Sequence, residues 1–298
     1  MHGWIILDKP LGLGSTQGVS AMKRALRTGS YGKAKVGHGG TLDPLATGVL
    51  PIAIGEATKL AGRMLDASKE YDFTIGFGVE TDTLDLEGKV IAESGVRPTL
   101  ANIEAILPRF TGPIEQVPPA YSALKVDGER AYNLARAGEV VELATRSVRV
   151  FSLTRRPDEG RDDALDSITL SAHVSKGTYI RSLARDIALT LGTVGHVTML
   201  RRTRAGPFGL ESAISLDILD EAAMGGALEA LLRPIEAGLD GIPALSLTPD
   251  QAAALKQGRV LSGVAANDGL HFAKLGTTPV ALVEIIAGLV RVERGFNL

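Results

Sequence analysis

The chain of 298 residues contains no cysteine. Disulfide frameworks, thiolate metal sites and thiol nucleophiles are therefore excluded. Histidine is scarce, with five in all, and no cluster of histidines and carboxylates has the spacing of a metal site, so no metal is implied. No run of about 18 apolar residues is present that could span a bilayer. The start, Met1-His2-Gly3-Trp4, lacks the basic and apolar regions of a signal peptide. A soluble cytoplasmic protein without membrane contact is expected, acting as a monomer. Strong charge is also missing: the net value of −2 supplies no long-range attraction to phosphates.

What is present is 45 % hydrophobic residues, enough for a sizeable core, in a length that suits one large domain and a small one. The basic residues are bunched. They fall at Lys23, Arg24 and Arg27, at Lys33 and Lys35, at Arg146, Arg149, Arg155 and Arg156, and at Arg201, Arg202 and Arg204, while acids gather at residues 158–166 and in the C-terminal third. A fold that brought the basic groups to one face would create a stripe for phosphates; ordinary solvated surface is the alternative.

Residues 4–7 read as a strand and residues 16–26 as a helix. Residues 29–48 hold six glycines, too many for a regular element, and imply an irregular loop. Residues 71–79 alternate, with Tyr71, Phe73, Ile75, Phe77 and Val79 on one side, as in a half-buried antiparallel strand. A helix at 100–107 stops at Pro108, a Pro-rich excursion follows from Thr111, and residues 131–137 form a short helix. Residues 168–174 are another strand. In residues 179–191 the positions Ile180, Leu183, Ala184, Ile187, Ala188 and Leu191 repeat with helical period up to Gly192. Residues 218–233 suit a helix that Gly225-Gly226 interrupts. The pattern implies an α+β architecture with a mixed, mostly antiparallel central sheet flanked by helices. A linker at 238–243 then separates residues 1–237 from a small β-rich unit, residues 243–298, with a helix at 249–256 and strands near 279–286 and 289–294.

The densest chemical cluster is Gly37-His38-Gly39-Gly40-Thr41-Leu42-Asp43-Pro44. One carboxylate stands among glycines and small residues, so a flat ligand can approach the backbone closely. An Asx turn before proline would use the same residues. The loop is not a phosphate-binding P-loop, and no Gly-x-Ser-x-Gly elbow occurs.

Residues 37–51 resemble the Gly-His-Thr-Gly-Thr-Leu-Asp-Pro-Leu-Ala-Thr-Gly-Val-Leu-Pro signature of the TruB family, with Gly39 where many members have threonine. Further matches follow in order: Leu7-Asp8-Lys9-Pro10, Lys69-Glu70-Tyr71, Gly76 through Thr81-Asp82-Thr83, residues 118–125 with Ala120-Tyr121-Ser122, Ser175-Lys176-Gly177-Thr178-Tyr179-Ile180-Arg181, and His196 through Leu200-Arg201-Arg202. The resemblance covers about residues 3–210. It implies a pseudouridine synthase fold and isomerisation of uridine 55 in the TΨC arm of tRNA, with base flipping, Asp43 as catalytic carboxylate and no cofactor.

By the same resemblance Arg181 pairs with Asp43, Tyr71 stacks on the target uracil, Tyr179 and the Leu200 backbone line the base pocket, and His38 binds near the flipped nucleotide. On their own residues, Arg181 is also readable as a surface arginine off the apolar stripe and Tyr71 as a core tyrosine. The insertion at about 112–142 corresponds to one that grips the RNA loop, with Tyr121, Lys125, Arg130 and Arg136 as contacts, and the C-terminal unit is similar to PUA-like RNA-binding domains. A tRNA-binding and folding factor is the competing class. An Asp43→Asn variant separates the two.

Overall fold

A computed structural model describes residues 1–122, 124–126, 128–139, 141, 143–156 and 164–298, and only the backbone of Lys125 and Arg130. The side chains of Lys125 and Arg130, expected as RNA contacts, thus lie outside the described residues, as do Asp158, Glu159, Asp162 and Asp163 of the acidic stretch.

Seven strands run in the order Gly3–Lys9, Ala46–Ile54, Gly195–Ala205, Lys69–Phe77, Ser167–Val174, Arg146–Arg155 and Gly112–Gln116. Two short strands, Val36–His38 and Phe208–Gly209, complete a nine-stranded sheet. Every pairing is antiparallel except that of Ala46–Ile54 with Gly195–Ala205. The sheet is therefore mixed and mostly antiparallel, as the sequence implies.

The alternation at 71–77 puts Phe73, Ile75 and Phe77 into a core with Ile168, Leu170, Ala172 and Val174. That core is closed by the helix Ile180–Thr190, whose Ile180, Leu183, Ala184, Ile187 and Ala188 are buried against the sheet. This stripe covers one face of the helix and fixes its N-terminus beside the parallel seam. A second core forms where Met22, Ala25 and Leu26 of the helix Ser15–Thr28 meet Ile5, Leu7, Leu50, Ile52 and Ile54.

Several elements depart from the sequence reading. Residues 29–48 are not irregular throughout: Val36–His38 pairs with Ala46–Ile54, which takes in Gly48. Gly48 has φ +100°, and a Cβ there would lie 2.1 Å from the Arg202 carbonyl oxygen. Only glycine permits this approach of the two strands. The helix expected over 218–233 is Leu216–Met224, capped by Gly225, with a separate 3-10 turn at Leu228–Leu231. Gly112–Gln116 is the sheet's edge strand, so the excursion leaves the sheet after Gln116.

The C-terminal strands Ala244–Ser246, Gly269–Leu275, Thr278–Ile286, Leu289–Gly295 and Leu261–Ser262 form a five-stranded sheet, with the helix Pro249–Lys256 against it. It does not stand apart. Phe272, Leu282 and Phe296 pack into one cluster with Trp4, Val49 and Phe208, and Lys59 Nζ donates to the Gly295 carbonyl at 2.8 Å. Among the described residues no helix is long and apolar enough to cross a membrane.

Candidate active site

Residues 40–44 have no regular structure, yet each of their carbonyls accepts a hydrogen bond. Arg202, 1 % exposed, donates to Gly40 and Thr41 at 3.2 Å each and to Val49 at 2.8 Å. Ser15 Oγ donates to the Leu42 carbonyl at 3.0 Å and accepts from the Leu42 amide at 2.8 Å. The Ala46 amide donates to the Asp43 carbonyl at 3.0 Å. The Pro44 carbonyl accepts from the Gly12 amide at 2.8 Å and from Lys9 Nζ at 3.2 Å. Lys9, fully buried, also donates to Pro10 and Leu13. Buried polar groups are costly when unpaired. A loop satisfied in this way by strand and helix side chains is rigid, and it presents the Asp43 carboxylate at a fixed place.

That carboxylate is 44 % exposed and meets Arg181 Nη2 at 2.9 Å. Arg181 is not the surface arginine its helical position suggested. It is buried, it also pairs with Asp85 at 3.2 Å, and it donates to the carbonyls of Thr83 at 2.8 Å and Tyr121 at 3.0 Å. Asp85 is held in turn by Thr83 Oγ1 at 2.6 Å and by the Glu87 amide at 3.0 Å. One guanidinium thus bridges a buried carboxylate to an accessible one. The planar fork suits this arrangement, and its orientation is set by four acceptors.

Two sizeable cavities meet at this pair, beside a third of about 20 Å³. The smaller of the two, about 290 Å³, is lined by Tyr71, Tyr179, Leu200, Lys69, Asp43 and Arg181 among others. The parallel seam explains the convergence. Leu200 pairs with Ala46 on one side and Phe73 on the other, while Arg202 pairs with Gly48 and Tyr71, so the loop, Tyr71 and Leu200 share one edge. Tyr179 caps the helix Ile180–Thr190 and is fastened by Gln116, which accepts from its amide at 2.8 Å and donates to its carbonyl at 3.1 Å. Burial raises the Tyr179 hydroxyl above the usual tyrosine pKa, which keeps it a neutral donor. Burial also pushes Lys69 down to about 8, while its ammonium caps the carbonyls of Met64, Leu65 and Ala67.

The larger cavity, about 800 Å³, is lined by Gly14 to Gln17, His38, Asp82, Asp85, Tyr121 and Arg136 together with Asp43 and Arg181. His38 therefore stands on the wall of this outer cleft rather than of the smaller one. Its Nδ1 is buried without a partner among the described residues. Burial, reinforced by Arg202, lowers its pKa, so the ring stays neutral and suits a binding role. Arg136 lies over the Tyr132 ring, 5.5 Å from its centroid, a cation–π stack that borders the same cleft.

The basic bunches are divided by the fold. Arg201 pairs with Asp8, Arg155 with Glu104, Arg156 with Asp72, Arg24 with Asp220 and Arg204 with Glu70. Arg202 is internal. Five of the bunched arginines thus stand beside a carboxylate, which weakens the positive field each offers to a phosphate. Sequence reasoning assigned no role to Lys9, Ser15, Asp85, Gln116 or Ser122. Lys9, Ser122 and Arg202 lie within the quoted motifs, and Asp85 two residues beyond one.

Comparisons with known proteins place the chain in a family. The family model for the TruB family pseudouridylate synthase N-terminal domain matches residues 27–180, and that for the tRNA pseudouridylate synthase B C-terminal domain matches residues 181–240. The tRNA pseudouridine synthase B of Novosphingobium aromaticivorans is 66 % identical over 298 residues, covering 100 % of this chain and 98 % of that one. The protein of the same name from Zymomonas mobilis is 55 % identical over 297 residues, with 100 % and 96 % covered. Among solved structures, a chain in the crystal structure of a Cbf5-Nop10-Gar1 complex superposes with a TM-score of 0.74 at 28 % identity, covering 99 % of this chain and 85 % of that one. The fold is the α+β pseudouridine synthase fold, and its class of enzyme is an isomerase. Within that class the chain belongs to the TruB family.

Proposed function

We propose that this protein converts uridine 55 in the TΨC arm of tRNA to pseudouridine, with Asp43 as the group that acts on the nucleotide. The observation that carries the reading is the Asp43–Arg181 pair, fixed at 2.9 Å where a base-sized cavity opens into a larger cleft. The reaction breaks the C1′–N1 bond, turns the uracil and joins C1′ to C5; the C5 proton leaves to solvent and N1 takes up a proton, so the product is an isomer of the substrate. It needs no oxidant and no energy input. It does need a nucleotide drawn out of its stack, a positioned carboxylate and a surface that retains the freed base.

Tyr71, Tyr179 and Leu200 serve the last requirement. They wall the smaller cavity, and the Tyr71 ring offers a stacking face. Arg181 holds the carboxylate in its attacking position, and Asp85 holds Arg181. His38 and the Arg136–Tyr132 stack receive the RNA strand in the outer cleft, as part of the grip formed by the excursion after Gln116. The unit at residues 243–298 acts as a PUA-like module that extends the hold on tRNA. On this reading the enzyme works as a monomer in the cytoplasm.

The test uses unmodified tRNA transcript tritiated at C5 of uridine. Release of tritium from position 55 alone is expected. Binding without release moves the function to the RNA-folding factor.

A further inference from the structure

Ser122 lies on the excursion that follows Gln116 and is 4 % exposed. Its backbone is committed: its amide donates to Ala120 at 3.0 Å, and its carbonyl accepts from Tyr132 at 3.1 Å. Its neighbour Tyr121 receives Arg181 at the carbonyl. The hydroxyl, by contrast, has no partner among the described residues. The Tyr179 hydroxyl is near enough to feel it but lies outside hydrogen-bond geometry. A buried hydroxyl with neither donor nor acceptor is disfavoured by the fold and calls for a ligand to complete it.

Its place says which part of the ligand. Of these two cavities, Tyr71, Tyr179 and Leu200 line the smaller alone, and His38, Tyr132 and Arg136 the outer alone; Ser122 lines both, as do Thr41, Leu42, Asp43 and Arg181. A nucleotide whose base fills the smaller cavity and whose strand continues in the outer cleft must pass its ribose through that junction. The glycosidic bond then lies at the level of Asp43, with Ser122 beside the sugar and its hydroxyl covered in the free protein, so that a small shift of the excursion on binding uncovers it.

On the functional reading above, we propose that the Ser122 hydroxyl hydrogen-bonds the ribose 2′-hydroxyl of the target nucleotide, making it a determinant of RNA over DNA at that position. Serine can both donate and accept, which matches the 2′-hydroxyl in either role.

The test is a cycle of binding measurements on a T-arm stem-loop carrying uridine or 2′-deoxyuridine at the target, in an Asp43→Asn background that prevents turnover. Removing the 2′-hydroxyl is expected to weaken binding about five-fold, the size of one net hydrogen bond. Adding Ser122→Ala should weaken the uridine stem-loop by a similar factor and leave the deoxyuridine one unchanged. Equal weakening of both, or of neither, overturns the proposal. The free Ser122→Ala protein should melt no lower than its parent, since no partner of the hydroxyl is orphaned; a fall of several degrees assigns the hydroxyl to the fold and overturns it as well. Failure of the parent protein to bind either stem-loop rejects the tRNA reading itself, a result distinct from additive losses.

Discussion

Arg201 and Arg202 are adjacent, equally basic and indistinguishable in composition, yet the structure assigns them opposite weights. Arg201 makes one ion pair with Asp8 at 35 % and 36 % side-chain exposure. Such pairs are worth about 0–1 kcal/mol. Arg202 is 1 % exposed and its guanidinium is the donor to three carbonyls, two of them in the loop that presents Asp43. An Arg202→Met variant keeps much of the stem's packing but leaves those carbonyls unmatched, at about 1–3 kcal/mol for each that stays dry. Gly40 and Thr41 border the smaller cavity, so water relieves part of this, and we expect a net loss of about 2–4 kcal/mol. For a chain of this size that lowers the thermal midpoint by on the order of 5–10 °C. The control, Arg201→Met, should shift it by about 2 °C or less. Both are measured by thermal melting and then by tritium release well below the midpoint, where folded Arg202→Met should remain slow because its loop is loose. Equal melting of the two variants, or full turnover by Arg202→Met, refutes the bracing argument.

Other expectations follow from the same contacts. Asp85→Asn leaves Arg181 with a weaker acceptor, so kcat should fall while KM for tRNA holds; a raised KM with unchanged kcat would place Asp85 in binding instead. Gly39→Thr restores the residue many family members carry, but a Cβ there lies 2.6 Å from Met64 Cβ and 2.9 Å from Cγ. The variant should lose about 1–3 kcal/mol by overpacking, and Met64→Ala should not restore it because the nearest atom remains; melting at the parent temperature would contradict this. Lys9 is lowered from 10.5 to about 8, first by burial, against the pull of Asp43 and with the push of Arg202. The unfolded chain therefore holds this proton to higher pH than the fold does. The cost of burying the charge is full below about pH 8 and fades toward 10.5, so stability gains with rising pH in that window. Urea unfolding at pH 7.5 and 9.5 should show a smaller pH-dependent gain for Lys9→Met than for the parent, and identical gains would exclude the shift.

Elements with a clean period were legible in the sequence. The alternation in Lys69–Phe77 and the helical stripe in Ile180–Thr190 each bury one face, and hydrophobicity records that directly. Gly195–Ala205 escaped because its register shifts twice, between Val197 and Met199 and between Arg202 and Arg204, which breaks a period of two. Arg146–Arg155 is similarly shifted between Val150 and Ser152. Ala46–Ile54 is buried at eight of nine positions, so it alternates nowhere. The motif located Asp43, and the resemblance located Arg181, Tyr71, Tyr179 and Leu200 around it. What holds them did not show, because bracing is tertiary: Arg202 reaches Thr41 from 161 positions away. An arginine in a basic run reads as solvated until a fold turns it inward.

The account rests most heavily on the Asp43 carboxylate. The measurement that tests it pairs wild type with Asp43→Asn, following tritium release from C5-labelled transcript alongside the dissociation constant for the same RNA. The asparagine fits the loop and keeps a contact to Arg181, so binding should persist within a few-fold while release from position 55 disappears. Release by the variant at a rate near that of wild type would contradict the assignment of the reaction to this site.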